Sequence, residues 1–183
     1  MSEQNLSLVR PTVELKSPYV TGLRQRLEAG EELNLPMGFD FRMVVKDFEA
    51  CVRRREREEQ GIDLPPGHVR QTTFWLVRGE REVLGEARLR YDLTPELEHE
   101  GGHIGYVIFP KYRRQGCGTA ILALALEEAR KAGLKRVLLT CNTENIPSAR
   151  IIQKNGGILH SKGISHRTGK SISRYWIKVP GAQ

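Results

Sequence analysis

Residues 104–109 read as an apolar strand. Residues 119–132 read as an amphipathic helix with apolar positions at Leu122, Ala125, Leu126 and Ala129. Between them stands the loop Arg113-Arg114-Gln115-Gly116-Cys117-Gly118. A strand that passes through a glycine loop into a helix aims several free backbone N–H groups, and the positive end of the helix dipole, at one point. Gly116 and Gly118 lack a Cβ, so an anion can approach the backbone closely, and both tolerate positive φ. The arrangement predicts a pyrophosphate site inside a β–α–β unit.

The rest of the chain supplies the frame for that unit. Residues 6–15 form a candidate strand that Pro11 pushes towards a sheet edge. Residues 19–29 and 46–60 read as helices, the first stopped by Gly30. Run 53–59 interleaves bases with acids at helical spacing and reads as a solvated face. Residues 72–77 and 83–91 form a hairpin around Arg78-Gly79-Glu80, with Ala87, Leu89 and Tyr91 on one face of the second strand and Glu86, Arg88 and Arg90 on the other. Residues 92–102 are a polar, acidic connection. Strand 103–109, the helix ending at Ala132, and strand 136–141 make the β–α–β unit. Helix 146–155 follows, and strands near 157–164 and 171–179 close the chain.

The pattern Arg/Gln-x-x-Gly-x-Gly/Ala between strand and helix resembles the acetyl-CoA-binding loop of the GNAT acetyltransferase superfamily. Asn145-Ile146-Pro147-Ser148-Ala149-Arg150, running on to Asn155-Gly156-Gly157, resembles that family's second coenzyme motif, in which an Asn opens a short helix that ends at Gly. Element order over residues 72–179 also follows the family. Gly102-His103-Ile104-Gly105-Tyr106 and Arg174-Tyr175-Trp176-Ile177 are similar to bacterial acetyltransferases with no assigned substrate. The resemblance implies an α/β fold: a mixed, mostly antiparallel sheet with helices on both faces and a central splayed parallel strand pair. It implies one N-acetyltransferase domain over 1–183, with an N-terminal strand and helices to 67, a coenzyme-binding core over 72–157 and C-terminal strands over 157–179.

On the same resemblance, acetyl-CoA is the cosubstrate and an amine of a small molecule or peptide is the acceptor. Arg113, Arg114, Gln115, Gly116, Cys117, Gly118 and Thr119 surround the pyrophosphate. Ile108 pairs through its backbone with the pantetheine arm, and Asn145 and Ser148 contact the same arm. Helix capping by Asn145 and helix-start packing by Thr119 and Ser148 explain those residues equally well. A homodimer is left open. An amine attacks only when neutral, so a base must take its proton. The candidates are Glu86, Glu100, His103 and Tyr106, with Glu100 and then His103 placed first because they sit where the strand enters the acceptor cleft. Many family members carry a Tyr in the second-motif helix that protonates the departing thiolate. Ile152 occupies the matching position here, so Tyr106, a water or another residue must serve. That departure keeps a non-catalytic coenzyme sensor as the alternative.

Composition and the remaining motifs bear on other functions. At 183 residues and 39% apolar composition, one core is expected, and no run approaches the roughly 18 apolar residues of a spanning helix. The first residues lack a basic and an apolar region, so no signal peptide is read there. Three scattered cysteines suggest a reducing cytoplasm. Cys117 and Cys141 read as packing residues, since no activating His or Asp lies close in sequence. A net charge of +7 leaves nucleic acid as a minor alternative without an aromatic-studded basic stripe. His99-Glu100-Gly101-Gly102-His103 matches the H-E-x-x-H zinc-peptidase pattern, which needs both imidazoles on one helix face. Two glycines inside it, and a β pattern directly after it, oppose that helix, so no metal is expected. Gly169-Lys170-Ser171 resembles a P-loop ending, but Gly163 stands one residue too far away. The acids Asp92, Glu96, Glu98 and Glu100 suit a cationic acceptor or a plain solvated loop.

Overall fold

The computed structural model describes residues 5–79 and 81–181; the hairpin residue Glu80 and the first four residues, on which the leader reading rests, lie outside them. The elements run β1 (Leu6–Val9), α1 (Lys16–Glu28), α2 (Phe41–Lys46), α3 (Phe48–Gln60), β2 (Gln71–Arg78), β3 (Glu82–Arg90), α4 (Pro95–His99), β4 (Ile104–Ile108), α5 (Cys117–Lys131), β5 (Arg136–Asn142), α6 (Ile146–Lys154), β6 (Ile158–Ile164) and β7 (Ser171–Lys178). One antiparallel sheet takes the order β1-β2-β3-β4, and a second takes β5-β7-β6. Helices α1 and α3 pack on one face of the first sheet, where Tyr19 stacks on Trp75 at 4.3 Å between ring centroids. Helix α5 covers the other face and buries Ile121, Leu122, Ala125 and Ala129, with Leu126 half-buried. Among the described residues, no helix is long and apolar enough to cross a membrane.

The two sheets meet at β4 and β5, and this junction positions the site. The His103 N–H donates to the Leu138 carbonyl at 2.8 Å, while three residues later the Tyr106 hydroxyl lies 3.3 Å from Ser148, just beyond the end of β5. Both strands therefore advance in the same direction, as a β–α–β crossover demands. Gly102 makes the join possible. Its φ is +65°, and a Cβ there would stand 2.3 Å from the Leu138 carbonyl oxygen.

Local chemistry explains where the elements differ from expectation. The first strand stops at Val9, ahead of Pro11, which has no N–H to donate, and a short 3-10 turn occupies Val13–Leu15. The helix expected over 46–60 is α3, which begins at Phe48, and the short helix α2 precedes it. Asp47 leaves the helical region (φ −130°, ψ 74°), and its carboxylate accepts the Ala50 N–H at 2.9 Å, so it ends α2 and caps α3. The acidic connection contains α4, opened by Thr94 as cap and Pro95 in the first turn. The charged run on α3 is not wholly solvated. Arg55 and Glu58 are 4% and 5% exposed and pair at 3.1 Å, and Arg55 also donates to the Asn34 carbonyl. The run lies on a helix packed against β2, so residues spaced three apart on its inner side are carried under the sheet.

Candidate active site

The loop before α5 is shaped by two left-handed residues, Arg114 at φ +58° and Gly116 at φ +81°. Such a pattern turns successive N–H groups into one concavity. Among the described residues, the backbone N–H groups of Arg114, Gln115, Gly116, Cys117 and Gly118 have no hydrogen-bond acceptor. The first turn of α5 begins here, so its dipole adds to the same place. No atom stands within 4 Å of where a Gly116 Cβ would be, whereas a Gly118 Cβ would meet Ile151 Cδ1 at 2.6 Å. Gly116 thus keeps the loop open, and Gly118 lets α5 pack against α6. Arg113 braces the loop from behind, because its Nε donates to the Ile108 carbonyl at 2.9 Å and its Nη2 pairs with Glu31 at 2.6 Å. Gln115 donates to the Lys111 carbonyl at 2.9 Å, and Arg114 is exposed.

From this loop an unpaired backbone edge leads inward. The bonds Arg90 N–H to His103 O and Phe109 N–H to Leu84 O flank the β3–β4 ladder. They make Ile104, Tyr106 and Ile108 the residues whose own N–H and C=O groups point away from β3. Past His103 these groups face the gap between β4 and β5. The Ile108 carbonyl is taken by Arg113, and its N–H faces the gap. An extended amide-bearing ligand fits such an edge as an added strand does.

The gap opens into a cleft of about 640 Å³. Glu100, Tyr106, Asn145 and Ser148 all line it, with Ile152 at its wall. Asn145 caps α6, its Oδ1 accepting the Ser148 N–H at 3.1 Å. Burial pushes the Tyr106 phenol up to about 12, so it is a proton donor at neutral pH. Glu100 accepts a 2.6 Å bond from the Ser165 hydroxyl and stands 3.8 Å from Arg167. Thr119 is half-buried on α5, and its carbonyl accepts from Asn155 at 3.4 Å. The thiols of Cys117 and Cys141 are both raised by burial, which disfavours thiolate.

His103 and Glu86 fall outside the cleft. His103 Nδ1 accepts the Leu138 N–H at 2.9 Å, its ring lies near Trp176, and the residue is only 9% exposed. It closes the join between the sheets. Glu86 is buried beneath α1, where Tyr19 donates to it at 2.8 Å. The His-Glu-Gly-Gly-His stretch does not form one helix face either. Helix α4 ends at His99, Glu100 is extended, and both glycines have positive φ. The His99 ring is held by the Ile164 carbonyl and Arg174.

The position of His103 sets a pH dependence. Desolvation, reinforced by the nearby charge of Arg90, lowers its pKa from 6.5 to about 4. Since the folded-state value lies below the unfolded one, the stabilisation is complete above about pH 6.5 and is lost as pH falls towards 4. At most about 3 kcal/mol is involved. Denaturant unfolding at stepped pH should show stability falling through that window, with a shallower fall in His103→Asn. Identical pH slopes in the two proteins would remove His103 as the cause.

The cleft also holds residues that motif reading passed over. Arg88, Arg90, Asn34, His166 and Arg167 line it. The β6–β7 turn presents His166 and Arg167 because the buried Ser165 hydroxyl accepts the Arg167 and Thr168 N–H groups. A signal for the β3 arginines was present: Arg88 and Arg90 share one face of a strand next to the central pair.

A family model described as an acetyltransferase (GNAT) domain matches residues 44–158. Among solved structures, the ribosomal-protein-S5-alanine acetyltransferase from Vibrio fischeri superposes with a TM-score of 0.73 at 11% identity, over 100% of this chain and 98% of that one. RimJ from Mycobacterium smegmatis, in complex with CoA-disulfide, gives 0.72 at 16%, over 94% and 81%. A Salmonella typhimurium acetyl transferase that modifies the N-terminal serine of a 50S ribosomal subunit protein gives 0.68 at 13%, over 97% and 96%. At these identities the superpositions establish a shared fold.

Proposed function

The chain belongs to the GNAT acetyltransferase family, and on that premise we propose that it moves the acetyl group of acetyl-CoA to a primary amine of a small molecule or peptide, by direct attack in a ternary complex. The observation that carries this reading is the continuity of the site: an anion-ready loop, then the unpaired edge of β4, then a cleft holding a carboxylate and a half-buried phenol. The chain's own groups fit the cosubstrate. The free N–H groups of residues 114–118 suit its pyrophosphate, and the edge of β4 suits the amides of its pantetheine arm.

In this reading Glu100 takes a proton from the acceptor ammonium, directly or through water, so that the neutral nitrogen attacks the thioester carbonyl. The C–N bond forms, the C–S bond breaks, the Tyr106 hydroxyl protonates the leaving thiolate, and the second proton shed by the nitrogen restores the phenol. Tyr106 reaches from β4 the region that Ile152 leaves without a donor, and Ser148 holds it at 3.3 Å. Asn145, with its carbonyl engaged in capping, offers its amide N–H groups to the ligand. The relatives that acetylate ribosomal proteins support a peptide amine as one acceptor type.

Calorimetry with acetyl-CoA, followed by thiol release across a panel of amines, tests the reading. Binding together with acceptor-dependent thiol release is expected. Binding with a silent panel would instead favour a coenzyme sensor, the reading that Ile152 motivates. Absence of binding would remove both.

A further inference from the structure

We propose that the acceptor amine carries a carboxylate and that Arg88 binds it; this deepens the acetyl-transfer reading and rests on it. Arg88 is half-buried and differs from the other arginines drawn into the fold. Arg26 donates to Glu31 and to the Glu32 carbonyl, Arg55 to Glu58 and the Asn34 carbonyl, and Arg90 to the Gly101 and Gly102 carbonyls. Among the described residues, the Arg88 guanidinium has no hydrogen bond and no ion pair. The two acids whose charge acts on it are engaged elsewhere, Glu86 by Tyr19 and Glu58 by Arg55. A half-buried guanidinium in the wall of a cleft, with its donors free, is set to take an anionic ligand.

The surroundings say where that ligand lies. Arg88 stands directly opposite Gly105 in the β3–β4 register, and no atom comes within 4 Å of where a Gly105 Cβ would project. Paired residues share a sheet face, so the space beside Arg88 is open. That space belongs to the cleft that also contains Glu100 and Tyr106. Arg90 adds to the unbalanced charge: burial first, then the charge of Arg88, lowers its pKa to about 10, which leaves it cationic at neutral pH. Of the other cleft charges, Arg167 faces Glu100 and Glu32. A carboxylate fits the planar fork of Arg88 with two parallel bonds. An acceptor held there by its carboxylate would extend its amine across the cleft towards Glu100. The acidic connection into β4 suits a cationic acceptor or a plain solvated loop, and Arg88 adds a carboxylate to the acceptor's expected chemistry.

The carboxylate has two possible sources, the α-carboxylate of a free amino acid or an acidic side chain near a peptide N-terminus. Calorimetry on the protein saturated with CoA separates them. One arm compares free amino acids with their primary amides. The other compares tetrapeptides carrying Asp or Glu at the second position with their Asn or Gln counterparts. The wild-type protein should bind the carboxylate member of at least one pair tenfold or more tightly, and the arm in which this occurs names the source. Arg88→Gln should bring that ratio close to one, and Arg88→Lys, which keeps the charge but loses the fork, should reduce it threefold or more. No tenfold preference anywhere in the wild-type panel, silence included, overturns the proposal. So does a preference that persists in Arg88→Gln or, should that variant melt early, in Arg88→Lys. Loss of CoA binding in the wild type would sink the acetyl-transfer reading instead, so the two failures are distinct.

Discussion

Gly116→Trp is expected to weaken acetyl-CoA binding by about 100-fold or more while leaving the protein folded. Each hydrogen bond to a charged group contributes about 1.5–3 kcal/mol, and a loop pushed out of shape loses at least two of them at the pyrophosphate. Each 1.4 kcal/mol is about tenfold in affinity. The fold itself should tolerate the change, because no protein atom stands within 4 Å of the new Cβ. What the substitution meets is backbone strain: Gly116 sits at φ +81°, where a side chain costs roughly 1–2 kcal/mol. Relief of that strain moves the N–H groups of residues 114–118 out of register. For a chain of this size the stability cost corresponds to a Tm lowered by about 2–8 °C. Calorimetry and a melting curve on the same sample separate the two effects. A dissociation constant within threefold of wild type would remove the loop as the pyrophosphate site.

That prediction uses the part of the molecule that the sequence displayed most clearly. The strand, loop and helix around Gly116 were legible because three signals coincide there: apolar periodicity changing from strand to helix, paired glycines, and basic flanks. The hairpin β2–β3 and the β6–β7 pair were legible for similar local reasons. What stayed hidden depended on packing between distant segments. Asp47 sets the start of α3 through one side-chain bond from the Ala50 N–H, and periodicity counts cannot see a single cap. His103 and Glu86 look like cleft residues when only their places along the strands are known. The Leu138 N–H and the Tyr19 hydroxyl, each dozens of residues away, claim them for the core. Arg88 shows the converse. Its neighbours in sequence mark it as one more strand charge, and only the closure of α1 and α3 over that face, with Gly105 left bare opposite, makes it an unpartnered cation in the cleft.

The same distinction bears on the base. Of the four candidates read from the sequence, Glu100 alone is a carboxylate lining the cleft, since Glu86 is buried beneath α1, His103 bonds the sheet junction, and Tyr106 is held in its protonated form up to about 12. Glu100→Gln is therefore expected to lower kcat/KM for an amine acceptor by about 100-fold at neutral pH, the low end of what a general base contributes. The substitution preserves shape. A Gln carbonyl still accepts the Ser165 hydroxyl bond of 2.6 Å, so the β6–β7 turn keeps its anchor. The deficit should shrink as pH rises, because a growing fraction of the acceptor amine is neutral without help. Tyr106 cannot supply that recovery below about pH 12, as its phenol stays protonated and remains the donor for the thiolate. Thiol-release rates measured from about pH 6.5 to 9.5 in wild type and variant read this directly. Rates within twofold at neutral pH would dismiss Glu100. A constant 100-fold gap at every pH would also count against a base, since it would indicate that Glu100 positions the acceptor without taking its proton.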